Sequence, residues 1–179
     1  MPEGRLVEPA EKFEASYRSL VAEFVARKET LIPIVLQYEA SDFKAYIQRL
    51  RNEAEGIGLP AGYVPASTFW LVDAQNELVG VAHLRQRLNE SLMSYGGHVG
   101  YGVRPTRRNE GFATLLLRLV LQRAKALGID RALVTCDKKN LASARVIVKN
   151  GGILDSEVPR PDADGTTQRY WITLGNDAR

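Results

Sequence analysis

The spacing of apolar positions changes partway along the chain, and that change maps its elements. Phe13, Tyr17, Leu20 and Phe24 recur every three to four residues, with Glu14, Arg18 and Glu23 on other faces, which predicts a helix. Ahead of it, Arg5 to Val7 predicts a short first strand ended by Pro9. Pro33 breaks the stretch that follows. Ser41 and Asp42 can cap a second helix whose apolar stripe is Phe43, Tyr46, Ile47 and Leu50. Glycines and prolines between residues 56 and 66 predict a loop.

From Thr68 the period shortens to two. Thr68 to Val72 and Leu78 to Leu84 flank the turn-rich DAQNE and predict a hairpin. After a loop around Asn89 to Tyr95, Gly97 to Val103 predicts a strand. Val99, Tyr101 and Val103 share one face of it, and His98, Gly100 and Gly102 the other. Glycines on one face let another backbone or a ligand come close. A helix follows Gly111, with a core stripe of Ala113, Leu116, Leu117, Val120, Ala124 and Leu127, and Gly128 at its end. Arg131 to Cys136 is a near-continuous apolar run, the pattern of a buried parallel strand. Asn140 can cap a last helix, ended by Gly151 and Gly152. A short strand at Ile153 and Leu154, an acidic proline-rich loop and a strand from Tyr170 to Leu174 close the chain. Strand, two helices, three strands, helix, strand, helix, two strands is a mixed α/β order.

Composition narrows the classes. The 179 residues suit one domain with a proper core, and 45% apolar with 25% charged residues argues against disorder. The net charge of +3 is spread among interleaved acids and bases, so no nucleic-acid face is expected. Cys136 is the only cysteine, which excludes an internal disulfide and points to a reducing compartment. MPEGRLVEP has no leader character, and the longest apolar run, Leu31 to Leu36, is interrupted by Pro33 and too short to span a bilayer. A cytoplasmic protein with no membrane partner is the expectation.

The chemistry concentrates in VRPTRRNEGFAT, Val103 to Thr114. A strand enters a glycine-containing turn that opens a helix, where backbone N–H groups are free and the helix dipole favours negative charge. That suits a pyrophosphate. The signatures of nucleotide loops, a Lys-Ser/Thr after the glycine or Gly-x-Gly-x-x-Gly, are missing. The order Arg-x-x-Gly-x-Ala resembles the coenzyme A pyrophosphate loop of the GCN5-related N-acetyltransferase (GNAT) superfamily. Two further pieces agree in order and spacing: RALVTC followed by Asp137, and NLASARVIVKNGG from Asn140. LVGVAHLRQRLN, GGHVGYGVRP and RYWITL are similar to a subgroup of predicted bacterial acetyltransferases. The resemblance covers Thr68 to Leu174.

It implies a GNAT fold: a mixed, mostly antiparallel central sheet flanked by helices and splayed between the fourth and fifth strands. Residues 67–174 would form the core with the coenzyme site, and the strand and two helices of residues 1–66 the acceptor side. It implies acetyl-CoA as co-substrate, held by the Val103 backbone along the pantetheine arm. Amides from Arg108 through Asn109, Glu110, Gly111, Phe112, Ala113 and Thr114 would cradle the pyrophosphate. Asn140 and Ser143 would face the pantetheine, and Arg145 or Lys149 would reach the adenosine 3′-phosphate. One departure bears on mechanism. Many members carry a tyrosine seven residues after the asparagine, proposed to protonate the departing thiolate, and here that position is Ile147.

Acyl transfer to an amine requires a bound thioester, a neutral amine, stabilisation of the oxyanion and an outlet for the thiolate. His98, Tyr101 and Tyr170 are the candidates for moving protons. His98 has a near-neutral ordinary pKa that suits a base, although a partly buried histidine bonded to backbone is the plainer expectation. Tyr101 alternates with Val99 and Val103, which favours a core role. Cys136 ends an apolar strand without a His–Asp/Asn constellation and reads as a structural thiol. His83 and His98 form no metal-ligand spacing, so no metal is expected. Arg85, Arg87, Arg104, Arg107 and Arg108 read as solvated strand ends, some of them near coenzyme phosphates under the resemblance. The acids Asp155, Glu157, Asp162 and Asp164 would either lie in a solvated loop or steer a cationic acceptor. The leading expectation is an N-acyltransferase that moves an acetyl group directly to a primary amine, small-molecule or peptide. The second is an acyl-CoA-holding sensor or scaffold without turnover, motivated by Ile147. A homodimer is compatible with either.

Overall fold

Two antiparallel sheets meet along one short seam, with helices on both faces. The computed structural model describes residues 2–161 and 164–175. Gly4–Val7 (β1), Ala66–Asp73 (β2), Leu78–Arg85 (β3) and Val99–Val103 (β4) make the first sheet in that order. Arg131–Asp137 (β5), Ile153–Pro159 (β6) and Thr166–Thr173 (β7) make the second, in the order β5–β7–β6. The helices are Glu14–Ala26 (α1), Phe43–Glu55 (α2), Phe112–Ala126 (α3) and Leu141–Lys149 (α4). The order of elements is the expected one. Asp42 caps α2, its side chain accepting the Ala45 amide at 3.0 Å.

Each helical stripe finds a sheet face. On one side Phe13, just ahead of α1, Tyr17 of α1 and Phe43 of α2 surround the fully buried Trp70 of β2, the Tyr17 ring stacked on the indole at 5.6 Å. Burial of such a ring contributes about 2–3 kcal/mol. On the other side α3 lays Leu116, Leu117 and Val120 against β3 and across to Val134 and Ile172 of the second sheet. This shared core holds the two sheets together where few backbone bonds do.

Four local expectations change. The α3 stripe is wider than expected, because Phe112, Leu115 and Leu121 are buried too, while Leu127 is half exposed in the turn after Ala126. β5 is buried as expected of its apolar run, but its ladder is antiparallel, with β7. Its burial comes from core on one face and the seam on the other, not from parallel neighbours. The loop near Tyr95 contains a wide helical turn, Leu92–Gly96. The acidic segment is largely strand: β6 runs on to Pro159, so Asp155 and Glu157 lie on it, paired with Arg169 at 3.2 Å and Lys138 at 2.7 Å. Those pairs take up the charge that the steering alternative would have used. Asp164 is exposed, and Asp162 lies outside the described residues. Among the described residues no helix is long and apolar enough to cross a membrane.

Candidate active site

β4 is bonded on one side only. The Arg104 amide donates to the Val79 carbonyl at 2.9 Å and the Arg85 amide to the His98 carbonyl at 2.8 Å, which fixes the phase of the β3–β4 ladder. Gly100 and Gly102 thus pair with β3. By the alternation of a strand, the amides of Tyr101 and Val103 face away from it, toward β5. No ladder fills that side. β4 and β5 touch through one residue pair, the His98 amide donating to the Leu133 carbonyl at 2.7 Å and the Leu133 amide to His98 Nδ1 at 2.9 Å. Beyond this seam no described backbone bond joins the two strands, which leaves a gap in the ladder, and both lead to helix-opening turns. This is the splay that the resemblance implies.

The imidazole therefore replaces a backbone carbonyl at the seam. Burial pulls His98 below its usual pKa, and the nearby Arg85 charge acts the same way. His83, whose Nδ1 lies 3.2 Å from Thr68 Oγ1, is pushed down to about 3 by burial. Both histidines are neutral in the fold. The unfolded chain gains their protons below about pH 6.5, so their stabilisation is complete above that pH and declines as pH falls toward the folded values. Each contributes at most about 1.4 kcal/mol per pH unit in that window. Denaturant melts between about pH 7.5 and about pH 5 should show the decline, and His83→Gln should flatten it. Equal slopes for variant and wild type would contradict a depressed His83.

The turn after β4 holds the second part of the site. Asn109 and Gly111 adopt left-handed conformations, at φ 65° and 90°. This coils the chain so that α3 begins at Phe112. Among the described residues, no acceptor takes the amides of residues 108–114. They form an anion-receptive row at a helix N-terminus. The loop's guanidinium groups are engaged elsewhere. Arg104, 3% exposed, binds Ser16, Ser19 and Glu23 of α1, and its expected place at a solvated strand end is corrected by that burial. Arg107 pairs with Asp73 at 2.8 Å and Glu77 at 2.6 Å, and Arg108 with Glu29 at 2.6 Å. What the loop offers an anion is main chain.

A hydroxyl pair stands across the gap. Tyr101 Oη lies 2.9 Å from Ser143 Oγ, joining β4 to the first turn of α4. Asn140 caps that turn, accepting the Ser143 amide at 3.0 Å. Cys136 on β5 neighbours Ser143, and burial raises its thiol. Burial pushes Tyr101 up to about 12. Tyr170 is buried on the same core and donates to Gln168 at 2.8 Å, and Ile147 is fully buried. The structure thus joins Tyr101 to Ser143 across the gap, and by strand alternation the Val103 amide faces the same edge of β4, whereas His98 serves the seam. Arg145 and Lys149 are exposed on α4. No group of His, Cys, Asp or Glu among the described residues could hold a metal ion.

The other wall was only partly legible. The glycine face of β4 did announce a close approach, and the approaching chain is Leu31–Pro33, whose Ile32 carbonyl lies against Gly102. Arg85 also sits on this face, beside Gly100, with Glu53 and Tyr38 beyond it. Nothing in the spacing of these residues signalled their meeting.

A family model described as an acetyltransferase (GNAT) domain matches residues 10–153. Among solved structures, Mycobacterium smegmatis RimJ in complex with CoA-disulfide is 19% identical, with a TM-score of 0.71 over 95% of this chain and 81% of that one. An acetyltransferase of Salmonella typhimurium that modifies the N-terminal serine of ribosomal protein L7/L12 is 17% identical, with a TM-score of 0.68 over 96% and 95%. A Vibrio cholerae spermidine N-acetyltransferase chimera with hSSAT is 14% identical, with a TM-score of 0.66 over 96% of each chain. No match was found among the curated proteins.

Proposed function

Because the chain belongs to the GNAT acetyltransferase family, we propose that it transfers an acetyl group from acetyl-CoA directly to a primary amine, both substrates being bound together. The free amide row at the start of α3 carries this reading. Two or three charge-assisted bonds from such amides contribute roughly 1.5–3 kcal/mol each. The residues fit the coenzyme: amides of Arg108 to Thr114 for the pyrophosphate, the Val103 edge and Ser143 for the pantetheine arm, and Arg145 or Lys149 for the 3′-phosphate. Asn140 contributes by capping the helix that presents Ser143. The strand and helices of residues 1–66 form the acceptor wall.

The chemistry follows from the gap. The Val103 amide would stabilise the thioester oxygen as it gains charge, an effect on the order of 3 kcal/mol for such a donor. The neutral amine forms the C–N bond, the C–S bond breaks, and the amine's surplus proton leaves to water. Ser143, bridged to Tyr101, is placed to give the thiolate its proton and recover one from solvent. This assigns to a hydroxyl pair the part proposed for the tyrosine that many members carry at the position of Ile147. Ser143→Ala is expected to lower kcat about tenfold to a hundredfold, while the lost pantetheine contact weakens coenzyme affinity by no more than about tenfold. An unchanged kcat would remove Ser143 from the reaction.

The relatives named above act on spermidine and on a protein N-terminus, which supports an amine acceptor here. The buried Ile147 favours a second reading, a module that holds acyl-CoA without turnover. Release of free thiol from acetyl-CoA over a broad amine panel decides between them. Acceptor-dependent release supports the enzyme, and tight coenzyme binding without it supports the module.

A further inference from the structure

The acceptor side of the gap contains a cation that differs from its neighbours. Arg104, Arg107 and Arg108 each lie against a carboxylate at 3.2 Å or less. Arg85, at the end of β3, makes no such pair among the described residues. Its Nη1 donates to the carbonyls of Gly96 and Gly97, both at 3.1 Å, which fixes the guanidinium over the start of β4. A Cβ on Gly100 would lie 3.9 Å from Nη1 and Nη2 and 3.4 Å from Pro33 Cβ, so the group sits on the glycine face beside the Leu31–Pro33 wall. Nε and Nη2 have no described hydrogen-bond acceptor. Burial lowers the Arg85 pKa, as for a desolvated cation without an adjacent counter-ion. The groups facing it are Tyr38, Glu53 and Tyr63, with the neutral His83 and His98. Glu53 forms no ion pair with it among the described residues; its Oε1 accepts from Tyr38 at 2.8 Å and its buried Oε2 has no partner. Arg85 is half-buried, and its Nε and Nη2 stay open to solvent and to an anionic ligand.

We propose that Arg85 reads the acceptor, and that the acceptor is a small amine carrying a carboxylate several bonds from the reacting nitrogen. The inference rests on the acetyl-transfer reading, which places the thioester at Val103. Along the open edge of β4, since the Ile32 carbonyl covers its face at Gly102, three residues separate Gly100 from Val103, about 10 Å. A contact of about 3 Å at each end leaves roughly 4–5 Å between amine and carboxylate, the span of a short ω-amino acid. An extended guanidinium binds a carboxylate in two parallel bonds, which an uncharged chain end cannot form. The same half-buried cation disfavours polycations, which bring no carboxylate to neutralise it.

The test is a series of glycine, β-alanine, 4-aminobutyrate and 5-aminopentanoate, with propylamine, butylamine and spermidine as controls. Turnover is read as thiol release, and binding to the coenzyme-loaded protein by calorimetry. One of the middle acids should show a Michaelis constant or Kd at least tenfold below that of its matched amine. Arg85→Gln should abolish that difference, and Arg85→Lys should keep part of it, with coenzyme Kd held within about twofold in both. Equal or better use of the amines or spermidine by wild type would overturn the proposal, as would a preference that survives in Arg85→Gln. Failure of the protein to bind coenzyme would instead strike the acetyl-transfer reading itself. If coenzyme binds but no amine releases thiol, the calorimetric preference alone decides, and its absence ends the proposal.

Discussion

Replacing Gly111 with valine is expected to weaken coenzyme A binding by a hundredfold or more. The residue has φ 90°, a conformation that side-chain-bearing residues adopt at a cost of about 1–3 kcal/mol and β-branched ones least of all. A Cβ there would also stand 3.0 Å from Pro2 Cδ. Relief requires the turn to unwind, and the amides on either side move with it. Two lost charge-assisted bonds amount to about 3–5 kcal/mol, two to three decades in Kd. Calorimetric titration with coenzyme A measures it, with a melting curve to confirm that the variant is folded. Unchanged affinity in a folded Gly111→Val protein would refute the loop assignment.

The second large effect concerns stability. A Cβ at Gly102 would overlap the Ile32 carbonyl, whereas one at Gly100 would meet Pro33 Cβ at an ordinary 3.4 Å. Gly102→Val should therefore cost about 3 kcal/mol, near the upper end of overpacking penalties, and Gly100→Ala less than about 1. The obstacle is backbone, which cannot rotate away as a side-chain tip can. Denaturant unfolding of both variants gives the comparison. Equal losses would mean that the Leu31–Pro33 segment does not cross β4 where it is placed.

Much of this architecture could be read from periodicity because local rules governed it. The α1 and α2 stripes, the β2–β3 hairpin and the caps at Asp42, Asn140 and Gly128 depend on near neighbours in the chain. The amide row was legible for the same reason, since a glycine between a strand and a helix fixes its own geometry. What escaped was set by distant partners. Arg104 looks like any loop arginine until Ser16, Ser19 and Glu23 close around it from more than eighty residues away. His98 looks like a base until Leu133 claims its Nδ1. The width of the α3 stripe depends on a second sheet whose position no heptad count contains. Arg85 carries no pattern at all, because only the fold places it beside Gly100.

The neutralised guanidinium groups around the α3 turn have a consequence for how such a surface changes over generations. Recognition by main chain is indifferent to most of the letters that encode it. Between Arg108 and Thr114 the exposed identities can drift, provided that two left-handed corners and the buried Phe112 survive, while the amide row keeps its geometry. An alanine scan of the stretch would leave the amides in place and report only its hinges and the buried Phe112.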